Sequence, residues 1–452
     1  MSQLHLLNVC LPLEDPGSLF EIIINDDRYE KITKQPSYLQ REDFKTLEAL
    51  NSSSDSFIDC QGYVLLPGFV DAHMHLDKAY SLRKVPNASG TLQEAVINYR
   101  KQSPHFTVEE IEYRAMKTAL NALSHGTTAI RTHVNFELPL GEDVVFRALT
   151  AVLNVKEKLK QYITIQVIPM FLLPDDDSKR ELEWIEQAIK MGADGIGGAP
   201  HLAENPEKQI DGLFSLAEKY DKPIDLHVDE SDDPNVCTLD YIIQKTMERQ
   251  YHNRVVAGHL CSLAPMEQEK ALSLIKRMAA AQIGAVTLPG ANMYLQGRFD
   301  QGIVRRGVTR IHEILQSGAT LAAASDNVHD PFHPFGKADL LQIGLLTAYV
   351  AHLGSGEGLK QIIRMITEYP AKLLNLNNYG VRCGAKASFV LLKARSVEDI
   401  FTNLPVERYV FRNGKLLYQS KKAEHWNDRQ LLMYQHETES QYVKFERNLQ
   451  YV

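Results

Sequence analysis

The sequence is poor in several features whose absence narrows what it can do. It holds two Trp and five Cys in 452 residues. Cys10, Cys60, Cys237, Cys261 and Cys383 are odd in number and far apart. They exclude a disulfide framework or a CxxC zinc site and fit reduced thiols in a cytoplasmic protein. Positive charge is not in excess. The net charge is −8, which argues against a nucleic-acid partner held by phosphate neutralisation. No apolar run approaches ~18 residues, so neither a membrane-spanning helix nor a membrane partner is expected. Residues 1–14 lack a basic segment followed by an apolar run and a small-residue cleavage site, so no secretory signal is expected. Hydrophobic residues make up 44% and charged residues 23%, ordinary globular usage that excludes collagen and a disordered chain.

What is present reads as one large α/β unit with β structure at both ends. Short apolar runs at 4–9, 19–24 and 63–66 predict strands, separated by a polar, Ser-rich stretch at 34–55 that reads as a loop. From 67 to 378 apolar runs alternate with helical patterns, as in a parallel sheet with crossover helices. Eight strands are expected at 68–72, 127–132, 163–168, 194–197, 224–226, 254–257, 283–288 and 320–324. Helices are expected at 108–125, 180–191, 210–220, 265–281 and 308–316. Eight such units fit a (β/α)8 barrel better than the competing doubly wound sheet. Residues 379–419 return to β character, with Asn413-Gly414 marking a hairpin turn. Paired with residues 1–66, they would form a small β-sandwich beside the barrel. Residues 420–452 form a polar tail, read as a surface helix, a contact between like chains in a homo-oligomer, or a frayed end.

Barrel chemistry is carried at strand C-terminal ends. Here those ends read Asp71-Ala-His73-Met-His75, His133, His227, His259 and Asp326. Residues i and i+2 of a strand face one side, so His73 and His75 can reach one ion. Among sixteen His an HxH arises readily by chance, and it proves little alone. A lone His227 is ordinarily a core residue and Asp326 ordinarily a turn or cap residue. The joint pattern carries the reading. Three His and one Asp at strand ends of one barrel make a set for Zn2+ or Fe2+, whose bound water is acidified toward a pKa of ~7. Glu230, three residues after His227, can shuttle a proton from that water to a ring nitrogen and a leaving amine, although an exposed loop Glu is the commoner case. His259 can orient the activated water, or serve only as a structural His. Asp326 can also take the water's proton.

These runs resemble the amidohydrolase superfamily, in particular its cytosine deaminase-like branch. Leu66-Pro-Gly-Phe-Val-Asp-Ala-His73-Met-His75-Leu-Asp-Lys78 resembles the first metal motif. Arg131-Thr-His133, Gly198-Ala-Pro-His201, His227-Val-Asp-Glu230, Gly258-His259, Tyr294-Leu-Gln-Gly-Arg298 and Ser325-Asp326-Asn327 through Phe332 to Gly336 resemble later strand ends. Asn378-Tyr-Gly380 and Arg412-Asn-Gly-Lys415 resemble the closing β segment. The resemblance covers nearly the whole chain up to the tail. It implies a distorted (β/α)8 TIM barrel with a β-sandwich appendage, and one divalent ion on His73, His75, His227 and Asp326. The fourth strand ends without the Lys that binuclear members carboxylate, which implies a single ion. It also implies Glu230, His259 and Asp326 as catalytic residues, and Leu172, Asn327 and Phe332 as substrate contacts.

Two departures bear on substrate. Leu172 stands where cytosine deaminases carry a Gln that reads the pyrimidine amide edge, and Asn327 stands where they tend to carry Asp. Isopropylammelide amidohydrolase shares the His-Leu/Met-Asp-Lys and Ser-Asp-Asn contexts but lacks a Glu at the position of Glu230. The expected function is hydrolytic deamination of a small nitrogen heterocycle. Opening a cyclic amide or removing an N-alkyl amine from a triazine-like ring is the alternative. A catalytically silent binding protein on the same fold is the reading from another class, and the filled ligand set disfavours it. Lys78 reads either as a solvated lid lysine or as a contact to a negatively charged ring.

Overall fold

The computed structural model describes residues 3–40, 45–47, 56–174, 178–302 and 305–449. The chain opens with β1 (Gln3–Cys10), β2 (Leu19–Asn25), β3 (Arg28–Lys34), β4 (Lys45–Thr46), β5 (Ser56–Asp59) and β6 (Val64–Pro67). Two of these strands, β3 and β5, were not expected from the apolar runs. The stretch read as a loop contains β4, and its residues 41–44 and 48–55 lie outside the described residues.

The barrel strands follow: β7 (Phe69–Met74), β8 (Thr127–Phe136), β9 (Thr164–Phe171), β10 (Ile196–Gly198), β11 (Ile224–Val228), β12 (Val255–His259), β13 (Gly284–Thr287) and β14 (Leu321–Ala323). They form one eight-stranded parallel sheet in sequential order, so the barrel is what the alternating pattern predicted and the doubly wound sheet is excluded. The ends of the sheet meet at a single bridge, Met74 to Asp326, where the Asp326 N–H donates to the His73 carbonyl at 2.9 Å. The seam of the barrel therefore runs through two of the expected metal ligands. Register shifts within β7, between Phe69 and Val70 and between Asp71 and Met74, make it the distorted strand.

Helices cover the outside. Both α1 (Leu92–Gln102) and α2 (Val108–Ser124) start at a Thr whose hydroxyl accepts the third N–H, Thr91 from Glu94 and Thr107 from Glu110, the usual answer to orphan donors at a helix start. One continuous apolar core lies between helices and sheet, including Phe136, Phe171, Phe214 and Ile362. Burying each such side chain contributes roughly 1.5–3 kcal/mol. Inside the barrel small residues dominate: Ala72, Ala129, Ala322 and Ala324 pack with Val70, Val256 and Leu374.

After the barrel come β15 (Phe389–Leu392), β16 (Arg408–Arg412) and β17 (Lys415–Gln419). The β15 strand pairs antiparallel with β6, Val390 opposite Leu66, and so joins the C-terminal hairpin to the N-terminal strands in a nine-stranded mixed sheet. Its own core stacks Phe389 on Phe411 at 4.4 Å beside Tyr29 and Ile22. Asn413 and Gly414 both adopt positive φ, 51° and 75°, as the hairpin signal required. Residues 420–452 form a separate compact unit containing one helix, Arg429–Leu449. All five cysteines are free, and no helix among the described residues is long and apolar enough to cross a membrane.

Candidate active site

The HxH pair leaves the end of β7, where strand geometry aims both rings inward. His227 sits on β11 and Asp326 just past β14. The fold brings these four side chains to one point. The Nε2 atom of His227 lies 3.2 Å from the Nε2 atoms of His73 and His75. Asp326 Oδ1 lies 3.3 Å from His75 Nε2 and 3.8 Å from His73 Nε2. Four donors each ~2.0–2.1 Å from an ion at tetrahedral angles would stand about 3.3 Å apart. Asp326 Oδ1 has no hydrogen-bond donor, although it is buried. Burial also holds the three imidazoles well below their usual range, so they are neutral and offer lone pairs. Three facing lone pairs and a bare carboxylate oxygen in a dry site call for a cation. The donor set fits a divalent metal.

The close approach of His73 needs a glycine opposite. A Cβ at Gly258 would stand 3.1 Å from the His73 ring. Beside the donors, His259 ends β12, and its Nδ1 lies 3.5 Å from Glu230 Oε1 and 3.0 Å from Asn292 Nδ2. Glu230 faces Gln296, and burial with the nearby Asp326 charge pushes its carboxyl up to about 8. Burial pushes His259 down to about 3, so it is a neutral imidazole. A carboxyl with a pKa near neutrality can both take and return a proton.

A second layer went unnamed among the expected functional residues. Arg131 Nη1 donates to Asp225 Oδ2 at 2.7 Å, Asp225 Oδ1 lies 3.4 Å from His133 Nε2, and Gln166 Oε1 receives Arg131 Nε at 3.0 Å. Asp71 Oδ1 accepts from the Ser325 N–H at 3.2 Å and steadies the β7–β14 seam. A signal for two of these exists in the sequence. Asp71 precedes His73 by two and Asp225 precedes His227 by two, which places each acid on the same strand face as a ligand.

A cavity of about 640 Å³ opens over the donors. Leu172, Asn327 and Phe332 line it, as do His75, His227, Glu230, His259 and Asp326. Leu172 follows β9 with Met170 and Phe171, so that wall is apolar. Asn327 Nδ2 is spent on Asp330 Oδ2 at 2.7 Å. Lys78 is buried in the cavity wall, 7% exposed, so it is not a solvated lid lysine.

The Amidohydrolase family model matches residues 64–417. A pterin deaminase from Rhizobium rhizogenes is 31% identical over 368 residues, 80% of this chain and 82% of the relative. An N-isopropylammelide isopropyl amidohydrolase from a Pseudomonas species is 28% identical over 90% of this chain and 96% of its own length. Among solved structures, 5-methylcytosine deaminase from Klebsiella pneumoniae, liganded with 5-fluorocytosine, superposes with a TM-score of 0.83 at 28% identity, covering 94% of this chain and 99% of that one.

Proposed function

The chain belongs to the amidohydrolase family and is an enzyme acting on carbon–nitrogen bonds of heterocycles; from that premise we propose that it is a hydrolytic deaminase of an aminated ring other than cytosine, working with a single divalent ion, Zn2+ or Fe2+. The observation that carries the proposal is the approach of His73 and His75 to His227 at 3.2 Å and to Asp326 at 3.8 and 3.3 Å, beside the Glu230–His259 pair, at the base of a cavity lined by His75, His227 and Asp326. These four side chains would hold the ion, and when bound it would supply the nucleophile by acidifying a water. Glu230 Oε1 takes one proton of the attacking water and delivers it to the ring nitrogen beside the attacked carbon; the water's second proton passes to the departing amine, which leaves as ammonia. His259 stays neutral and, fixed by Asn292, orients the nucleophile through a hydrogen bond. Asp326 is the second group that can take a proton from the water. Leu172, Asn327 and Phe332 shape the recognition wall. The apolar wall formed by Leu172, Met170 and Phe171 also accommodates an N-alkyl group, which supports removal of an alkylamine as the second reading.

The test is ammonia release from the metal-loaded protein over aminated pyrimidines, triazines and pteridines, with metal content measured alongside. Deamination of a ring other than cytosine with about one ion per chain is expected. Release of alkylamine alone would favour the second reading, and no hydrolysis of any ring would overturn both.

A further inference from the structure

Lys78 lines the cavity and the proposed chemistry leaves it unused. Its loop is rigid: Arg114 Nη1 donates to the carbonyls of Asp77 and Ala79, each at 2.8 Å, and Asp77 Oδ2 accepts the Asn135 N–H at 3.0 Å. The loop thus presents Nζ against two ring faces, 4.9 Å from the centroid of Phe332 and 5.8 Å from that of Tyr99. Among the described residues it forms neither a hydrogen bond nor an ion pair. The acids around it have other hydrogen-bond partners or belong to the donor set, and one oxygen, Asp77 Oδ1, is buried without a hydrogen bond. Asp77 caps Asn135, Asp330 takes Asn327 Nδ2 and the Phe332 and His333 N–H groups, Glu230 faces His259, and Asp326 belongs to the donor set. The ammonium lies over two aromatic faces and feels the acids Asp77, Glu230, Asp326 and Asp330 only at a distance, so it has no hydrogen-bond acceptor of its own, and a ligand oxygen can supply one.

We propose that Lys78 is a specificity-determining residue that selects a flat heterocycle bearing an anionic oxygen, its ring laid against Phe332 and Tyr99. The inference rests on the deaminase reading for the identity of the ring, but not for the charge preference. An anionic oxygen at Nζ would complete a charge-assisted hydrogen bond, stronger than a neutral one. The conjugate base of an oxygenated triazine, pyrimidine or pteridine has that oxygen, and so does a ring carboxylate.

The experiment titrates the metal-loaded protein with cyanurate, an anionic ring without an amine to lose, and with its neutral tri-O-methyl ether. Wild type should bind the anion at least 10-fold more tightly. Lys78→Met should lower the affinity for cyanurate about 10- to 100-fold with little change for the ether, and Lys78→Gln, which keeps a polar end, should do the same. Equal binding of both probes by wild type, or of cyanurate by wild type and both variants, overturns the proposal. In turnover, the acidic ring ammelide is compared with 2-amino-4,6-dimethoxy-1,3,5-triazine. The change in the variants should fall on KM for the acidic ring and not on kcat. A Lys78-dependent affinity for cyanurate without ammonia release from any ring would overturn the deaminase reading and leave the subsite standing. Ammonia release with the same acid preference in wild type and variants would do the reverse.

Discussion

The two ends of the cavity are built differently. At the floor His73, His75, His227, His259 and Asp326 are each 5% exposed or less and stand on or beside strand ends. Their positions follow from the pleat and register of the barrel. At the mouth, Leu92, Val96 and Ile97 come from α1, and Leu172 from the segment after β9. Those residues sit on a helix and a connection that can change without disturbing the sheet. On the proposed function, the floor would set which bond is hydrolysed and the mouth whose bond it is. Substitutions should accordingly have large, substrate-independent effects at the floor and small, substrate-dependent ones at the mouth.

The largest effect is expected from His227→Ala. It removes the donor 3.2 Å from both other nitrogens. Most of the metal should be lost and activity should fall at least ~10³-fold on every substrate, in line with the non-additive collapse of sites that act as a unit. Metal content per chain checks this, and a variant that keeps a full equivalent of ion would place the ligand elsewhere.

The next effect tests whether the floor is fixed by the layer beneath it. Asp225→Ala leaves the Arg131 guanidinium buried without its 2.7 Å partner. Breaking a buried pair in this way costs about 3–5 kcal/mol. Asp240→Ala breaks the exposed Arg277 pair and should cost about 1 kcal/mol or less. Denaturant melts of both variants measure the contrast, and similar losses would mean that the Arg131 network is no more structural than the surface.

That layer also shows where the sequence was legible. The eight strands were readable because each is a short apolar run between polar helices, and the candidate ligands were picked out because they end those runs. Arg131, Asp225 and Asp71 were not singled out: the spacing of the two acids from His73 and His227 was a signal left unused, whereas the partner of Arg131 across the barrel is known only from the fold. For Lys78 the solvated reading, one of the two the sequence allowed, failed for a related reason. A lysine after a strand is ordinarily solvated, and only the Arg114 contacts to the carbonyls of Asp77 and Ala79 turn it inward. The β3 strand (RYEKITK) was missed because it alternates without an apolar run; it pairs with β2 and, through Arg28 and Tyr29, with residues 384–386, a contact the local sequence does not announce.

Glu230→Gln should keep the metal and lower kcat by ~10²-fold, since the group acts on the proton in the transition state and not on binding. An unchanged kcat would move the proton to Asp326. The same variant has a signature in stability. The Glu230 carboxyl is raised by burial from its ordinary value to about 8. The fold favours its protonated form, so this group's contribution is fully present below its unfolded pKa and is lost as pH rises toward about 8. Metal-free wild type should therefore lose melting temperature relative to Glu230→Gln between pH 5 and 8. A difference independent of pH would mean that the carboxyl is not buried as described.

The smallest effect is expected at the mouth. Wild type should turn over cytosine with a kcat/KM below ~10⁴ M⁻¹s⁻¹, under the ordinary range for an enzyme on its own substrate. The reason is that Leu172 offers no hydrogen bond to the amide edge of that ring, and Met170 and Phe171 beside it supply none from their side chains. Leu172→Gln restores one polar group. A fully buried hydrogen bond to the ring would restore much discrimination, but Leu172 is only half-buried, so water competes for the same edge. The net worth of one such bond is about 1 kcal/mol, which is roughly a fivefold gain in kcat/KM for cytosine. Metal content should stay at the wild-type level, and turnover of the protein's better ring should fall by a similar factor or less. Measuring both substrates on both proteins gives the test. A gain of 10³-fold on cytosine from this one substitution would mean that the mouth alone holds the enzyme away from cytosine. Efficient turnover of cytosine by wild type would mean that Leu172 does not exclude it, and the division between floor and mouth would have to be drawn at Lys78 instead.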